Sequence, residues 1–409
     1  KKNGEFTENG RELLIRKANG YFSYVRGENP YTFPYKIYPS LFAENNTFKK
    51  NDYPRYDLTH KPVTEPLNLL DVFLLPIGEY QLLAYKAIIK RINKKSLNYH
   101  SLMMPLHALN IVFPSIEIET ERDIANKQID LNKLIGAEGL NNIMDHERGA
   151  ILESKVNYRY KEFVIEKYGK IFSPENIGKY SKKIEHICKM VNDSDGIILV
   201  YSQYIEGGLI PVALALEEMG LTRAGNKNKS LLADPPKANK LKYAMITGNK
   251  GYSYDNDSDI KLVTNQANKD GSRVKVVLIS KAGSEGLDFK YIRQIHILEP
   301  WYNMNRIEQI IGRGARWCSH FDLPLAKRNV QIFLYATLLK TQGITVGGSG
   351  EMAGINDGGV LEEKTEIEPG YAEREEEGDD DREEEGDDDR EEEGDDGYES
   401  EVEYNITNE

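Results

Sequence analysis

Four residues near the end of the folded part of this chain are of types that act on phosphoryl groups: Gln309, Gly312, Arg313 and Arg316, in the stretch Gln309-IIGRGAR. Hydrolysis of a nucleoside triphosphate spreads negative charge over the γ-phosphoryl oxygens, and arginine meets that charge with a planar fork that stays ionised. Arg313 and Arg316 are three apart, which predicts one shared helix face. Gly312 removes a side chain where a second surface would close on the nucleotide. Gln309, one turn before Arg313, can hydrogen-bond the phosphate or an attacking water. The plainer alternative is a surface helix with two solvated arginines.

A second motif lies just upstream, Ser280-KAGSEGLDF. An apolar run enters a turn of small residues and leaves beside an acid. Gly283 and Gly286 allow a phosphate or sugar to approach the backbone closely. Ser280 and Ser284 can donate to a nucleic-acid phosphate, a contact that positions without reading sequence. Asp288 can accept from a ribose hydroxyl or orient an arginine. A tight strand-to-helix turn with a capping residue would look the same. Two further places put polar groups after apolar runs: Ser202 and Gln203 in Val200-YSQYIEGG, and Thr247 and Lys250 in Ile246-TGNKG. Each of these four is a candidate nucleic-acid contact, and Ser202 is equally a candidate helix cap. Trp301 and Tyr302 are more readily core or contact residues than a base-stacking platform. Cys318 and His320 are close but lack a third partner, so they read as structural. No His, Cys and carboxylate spacing suggests a metal site.

The elements that must carry these residues alternate between strand and helix from 191 to 339. Gly196-IILVYS, Lys242-YAMIT, Arg273-VKVVLIS, Gln294-IHILE and Asn329-VQIFLYAT read as buried strands. Between them, Gly208-LIPVALALEEMG and residues 258–269 read as helices, the first starting at Pro211 and stopping at Gly220. Such alternation implies an α/β fold with a mostly parallel sheet, and ligands of such sheets bind past the carboxyl ends of the strands. Both motifs fall there. Residues 1–115, rich in Tyr and Pro, read as a helical and irregular connector or the remnant of another domain, containing the amphipathic helix Glu79-YQLLAYKAIIKRINK. Residues 116–190 read as a mainly helical insertion, 191–340 as the α/β lobe and 341–409 as a Gly-rich linker and tail.

The tail repeats with period eight: Arg374-EEEGDDD, Arg382-EEEGDDD, Arg390-EEEGDD. It has almost nothing apolar to bury, so disorder is expected. The 409-residue chain has a net charge of −13, but residues 361–409 carry 26 Asp+Glu against 4 Lys+Arg, a net of −22, which leaves +9 on the rest. A basic body suits a nucleic-acid binder, and the acidic appendage is either a solvating tail or a binder of basic proteins. Two cysteines far apart exclude a disulfide framework and fit a reducing compartment. No apolar run approaches the roughly 20 residues of a membrane span.

The two motifs at this separation resemble superfamily 2 helicases and translocases. Tyr201-SQYIEGGLIPVALALEEMG and Ile295-HILEPWYNMNRIEQIIGR are similar to the helicases of large cytoplasmic DNA viruses, the group of the poxvirus-type nucleoside triphosphatase I and the early transcription factor ATPase, and more distantly to the Swi/Snf translocases. The resemblance spans about residues 11–337. It implies a RecA-like second helicase lobe, ATP with Mg²⁺ as cofactor, movement along DNA or RNA, and a place in viral transcription beside the viral RNA polymerase, in the virion or the cytoplasmic viral factory. It implies that Ser280 contacts the nucleic-acid strand, that Asp288 lies at the nucleotide, and that Gln309, Arg313 and Arg316 face the γ-phosphate. The sequence holds no Gly-x-x-x-x-Gly-Lys-Ser/Thr loop and no Asp-Glu box after a strand. The phosphate cradle, the Mg²⁺ ligands and the catalytic acid are therefore expected outside it, and with Lys at position 1 the chain reads as a fragment, inactive alone. A non-catalytic nucleic-acid-binding module, or a lobe acting in trans, is the competing expectation. A third is an interaction protein that works through its acidic repeat.

Overall fold

Runs of β-branched and aliphatic residues set the frame of this molecule. The computed structural model describes residues 7–18, 32–51, 53–57, 61–64, 70–92, 99–148, 156–225, 229–253, 255–281, 287–301 and 303–339. The expected linker and acidic tail lie outside these residues. The strands are β1 (Tyr35–Ile37), β2 (Phe73–Pro76), β3 (Met144–Arg148), β4 (Val156–Tyr160), β5 (Ile197–Tyr201), β6 (Thr222–Arg223), β7 (Lys242–Ile246), β8 (Val276–Ile279), β9 (Ile292–Ile297) and β10 (Asn329–Leu338). The helices are α1 (Glu8–Ala18), α2 (Pro39–Phe42), α3 (Glu79–Arg91), α4 (Tyr99–Asn110), α5 (Glu121–Asn126) and α6 (Gly136–Ile143). They continue with α7 (Glu162–Tyr168), α8 (Ile177–Tyr180), α9 (Lys182–Asp193), α10 (Ile210–Glu218), α11 (Asn256–Val263) and α12 (Met304–Gly314).

Eight strands form one sheet in the order β1-β10-β9-β5-β8-β7-β6, with β2 also on β10. Every pairing in it is parallel. The mostly parallel α/β sheet expected from the sequence is thus present, and the five strands read from apolar runs are its centre. Successive residues of a strand point to opposite faces, and the packing follows that rule. Ile198, Val200, Val276 and Leu278 join one core with α9 and α10, while Ile197, Leu199, Val277 and Ile279 join the other with α12.

Three features were not read from the sequence. The N-terminal segment does more than connect: β1 pairs with the first residues of β10 (Tyr35 opposite Asn329) and β2 with its last (Tyr335 opposite Phe73). Together they cover an edge that would otherwise expose unpaired backbone. Within the insertion, β3 and β4 form an antiparallel pair. The helix expected from Gly208 is entered through a π turn, Ile205–Leu209, before α10 begins. The expected helix over 258–269 is α11 followed by a single 3₁₀ turn, Gln266–Asn268. Among the described residues no helix is long and apolar enough to cross a membrane.

Candidate nucleotide and nucleic-acid site

Parallel strands end together, and four of them end in one row. Ser202 N–H donates to the Ile279 carbonyl (3.3 Å), Ser280 N–H to the Ile246 carbonyl (3.2 Å) and Leu298 N–H to the Tyr201 carbonyl (3.1 Å). Ser202, Thr247, Ser280 and Glu299 therefore stand side by side at the carboxyl edge of the sheet, as the fold requires of a ligand site.

Beside this edge runs α12. Ile307, Ile310 and Ile311 are buried against the sheet. Gly314 permits the close approach, because a Cβ there would meet Ile295 Cδ1 at 3.0 Å and Ile292 Cβ at 3.1 Å. The adjoining stripe carries Arg306, Gln309 and Arg313, at intervals of one and two turns. Together with Tyr201, Lys281 and two asparagines at the helix start, they line a cleft of about 250 Å³. Asn303 caps α12, its side chain accepting from the Asn305 N–H at 3.0 Å. Arg313 also donates to the Leu287 carbonyl (3.3 Å), which ties it to the turn after β8.

Arg316 departs from expectation. The helix ends at Gly314 with Ala315 as its cap, so Arg316 lies in the following turn and does not share a helix face with Arg313. Its guanidinium pairs with Asp288 on the exposed flank, both side chains being half exposed. Of the two roles open to Asp288, the structure shows the one in which it orients an arginine. Gly312 faces open space, since a Cβ there would meet nothing within 4 Å. Gly286 and Ser284 lie outside the described residues.

The nucleic-acid candidates divide. Lys250 is exposed and Gln203 half-buried. Ser280 is buried. Ser202 and Thr247 are corrected from surface contacts to internal braces. Ser202 is fully buried; its hydroxyl donates to Glu299 (2.5 Å) and accepts from the Tyr204 N–H (3.1 Å). The cause is the π turn, which folds back over it: a Cβ on Gly208 would lie 2.1 Å from Ser202 Oγ. Thr247 is buried against Ser253, their hydroxyls 2.9 Å apart, and so shapes the turn that presents Lys250.

Sequence reasoning missed the group that organises this edge. Glu299 is buried and accepts hydrogen bonds from Ser202 Oγ, from the Gln203 N–H (3.0 Å) and from Asn110 Nδ2. Burial pushes its carboxyl up, against the pull of Ser202, Lys183, the Gln203 N–H and Asn110. Lys183, also buried, donates to Asn110 Oδ1 (3.2 Å) and the Leu298 carbonyl (2.6 Å), and burial pulls its ammonium down to about 8. Asn110 thus relays between the two charges and brings the end of α4 into the site. The available signal was a lone acid closing an apolar strand, Ile295-HILEP, level with Ser202. Arg306 was also missed, although 306, 309 and 313 form one helical stripe. Among the described residues no group of three His, Cys, Asp or Glu is placed to hold a metal ion.

Residues 182–318 match the helicase conserved C-terminal domain. This domain encloses the row of strand ends, Glu299 and the whole of α12. A protein of Acanthamoeba polyphaga mimivirus that bears the name of an ATP-dependent RNA helicase is 31% identical over 215 residues, 52% of this chain and 34% of that protein. The termination factor NPH-I homolog of an African swine fever virus isolate is 35% identical over 181 residues, 38% of this chain and 26% of its own length. The chain therefore spans about a third or less of these relatives. The crystal structure of the C-terminal part of the Fun30 ATPase domain aligns with 41% of this chain and 47% of its own at 15% identity and a TM-score of 0.27. The resemblance to viral helicases drawn from the two motifs is borne out: residues 182–318 match the helicase C-terminal domain, and the chain is similar to viral proteins named as an ATP-dependent RNA helicase and a termination factor.

Proposed function

We propose that this chain supplies the second lobe of an ATP-dependent nucleic-acid helicase or translocase of a large DNA virus, working in transcription. The observation that carries the reading is α12, which brings Gln309 and Arg313 to one cationic cleft at the carboxyl edge of a parallel sheet. In this reading Gln309 and Arg313 address the γ-phosphate of ATP. Arg316 exchanges Asp288 for the same phosphate when a facing lobe closes, and Gly312 leaves room for that lobe. Mg²⁺ and the phosphate loop belong to the facing surface, while Gly286 and Asp288 border the nucleotide. Lys250 and Gln203 meet the nucleic-acid backbone, and Ser280 and Ser284 are assigned to the same contact. The word "termination factor" in a relative's name supports the transcriptional role, with viral RNA polymerase as the partner and the virion or cytoplasmic factory as the place.

The test is nucleic-acid-stimulated ATP hydrolysis by the longer protein. Arg316→Ala removes that stimulation while the melting temperature stays within a few degrees, because the side chain is half exposed and outside the core. Wild-type turnover in this variant would remove the assignment and leave a lobe that only binds nucleic acid.

A further inference from the structure

The cleft under α12 holds one cation that neither the motif nor the comparisons account for. Arg306 lies on the stripe of Gln309 and Arg313. Its guanidinium is fixed twice: it stacks over the Trp301 ring with its carbon 5.0 Å from the centroid, and its Nη2 donates to the Tyr201 hydroxyl at 2.9 Å. Both partners are neutral. They set the direction of the fork without cancelling its charge. Arg316, past the end of the helix, is by contrast paired with Asp288. Among the described residues Arg306 makes no ion pair, and no carboxylate lines the cleft. Arg306 and Arg313 thus bring two guanidinium charges to about 250 Å³, with amide groups of Asn303, Asn305 and Gln309 between them and Lys281 also on the lining. Like charges gathered in so small a space repel, and a polyanion is the ligand that reverses the sign of that interaction. A fork held in place before the ligand arrives also loses little freedom on binding.

We propose that Arg306 is a further phosphate-binding residue of this cleft, gripping a phosphate oxygen of the nucleoside triphosphate that Gln309 and Arg313 address. This rests on the reading of α12 as the ATP-facing helix. The shared chemistry is a phosphate oxygen, and a nucleic-acid backbone is the other source of one.

Inorganic tripolyphosphate is the probe, titrated calorimetrically into the 409-residue chain at low ionic strength, with a single-stranded oligonucleotide measured in parallel. Arg306→Ala is expected to weaken tripolyphosphate binding by roughly tenfold or more, the loss of a charged hydrogen bond, and to leave oligonucleotide affinity unchanged. Arg306→Lys keeps the charge and loses the fork, so it should weaken binding by about threefold or more. Tyr201→Phe, which removes the hydrogen bond that holds the guanidinium and keeps its charge, should also weaken it measurably. These two variants decide the matter if the alanine variant does not fold. Wild-type affinity in Arg306→Ala beside a loss in Arg313→Ala overturns the inference and leaves the α12 reading standing. Wild-type affinity in both overturns both. A loss confined to the oligonucleotide moves the phosphate to the nucleic acid and overturns the nucleotide assignment, as does an absence of tripolyphosphate binding by the wild-type chain at millimolar concentration.

Discussion

Arg313 and Arg316 are three residues apart, yet one lines the cleft and the other reaches back to Asp288. The helix stops between them because Gly314 packs directly on β9 and the chain then turns. Gly312 allows a sharper test at this scale. A glycine inside a helix costs about 1 kcal/mol relative to alanine, and here a Cβ would meet nothing within 4 Å. If the glycine serves only this chain, Gly312→Ala should be a gain. We expect Gly312→Ala to raise the stability of the isolated chain by up to about 1 kcal/mol in urea melts, and to impair ATP turnover of the longer protein, where a facing surface needs the space. Unimpaired turnover would remove the reason given for glycine at this position. Residue types and spacing led to the expectation of phosphate chemistry at Gln309 and Arg313. They did not show that Ser202 and Thr247 face inward, because a hydroxyl after an apolar strand serves equally as a contact or as a brace, and what decides between them, the π turn over Ser202 and Ser253 against Thr247, is a packing outcome.

The central strands were legible because each is a run of buried aliphatic residues bounded by turn formers. β1 and β2 were not. Three or four residues in a Tyr- and Pro-rich segment carry no period, and their pairing depends on the ten-residue length of β10. Where β2 meets β10, two histidines come together, the buried His296 of β9 and the half-buried His186 of α9. The Tyr335 hydroxyl lies 2.7 Å from both His186 Nδ1 and His296 Nδ1, and His296 Nε2 lies 3.2 Å from Gln294 Oε1. One hydroxyl proton cannot serve both rings. If His296 donates from Nε2 to Gln294, it accepts the Tyr335 proton at Nδ1, and His186 donates from its own Nδ1. Both rings are then neutral. Burial pulls His186 down to about 4 and His296 well below its ordinary value, and it also pulls His107 and His320 down to about 4. In the unfolded chain these rings take up protons near pH 6.5. A folded state that resists protonation loses stability as the pH falls below the unfolded value and on through the folded one. Urea midpoints should therefore drop progressively from about pH 6.5 towards 4. A flat profile over that range would show that the histidines are not buried neutral.

The whole chain joins an excess of positive charge before residue 361 to an excess of negative charge after it. Charge partition and motif spacing were enough to expect a nucleic-acid-binding lobe. They did not show that α4, well before the lobe, reaches its edge through Asn110, Lys183 and Glu299, because that link is made only by folding. Binding carried by phosphate contacts should weaken with salt, and its logarithm should fall linearly with the logarithm of salt concentration. Fluorescence anisotropy of a labelled oligonucleotide, measured between about 50 and 200 mM salt, should show that slope, reduced in Lys250→Ala. Equal affinity at both ends would remove the electrostatic account of binding. The central claim is that the α12 cleft faces the γ-phosphate, and the most direct measurement is steady-state ATP turnover by the longer protein carrying Arg313→Ala, with nucleic acid saturating. The account predicts a fall in kcat of roughly 10³-fold or more, the scale of a lost arginine finger, with nucleic-acid affinity retained. A kcat equal to that of the wild type would contradict it.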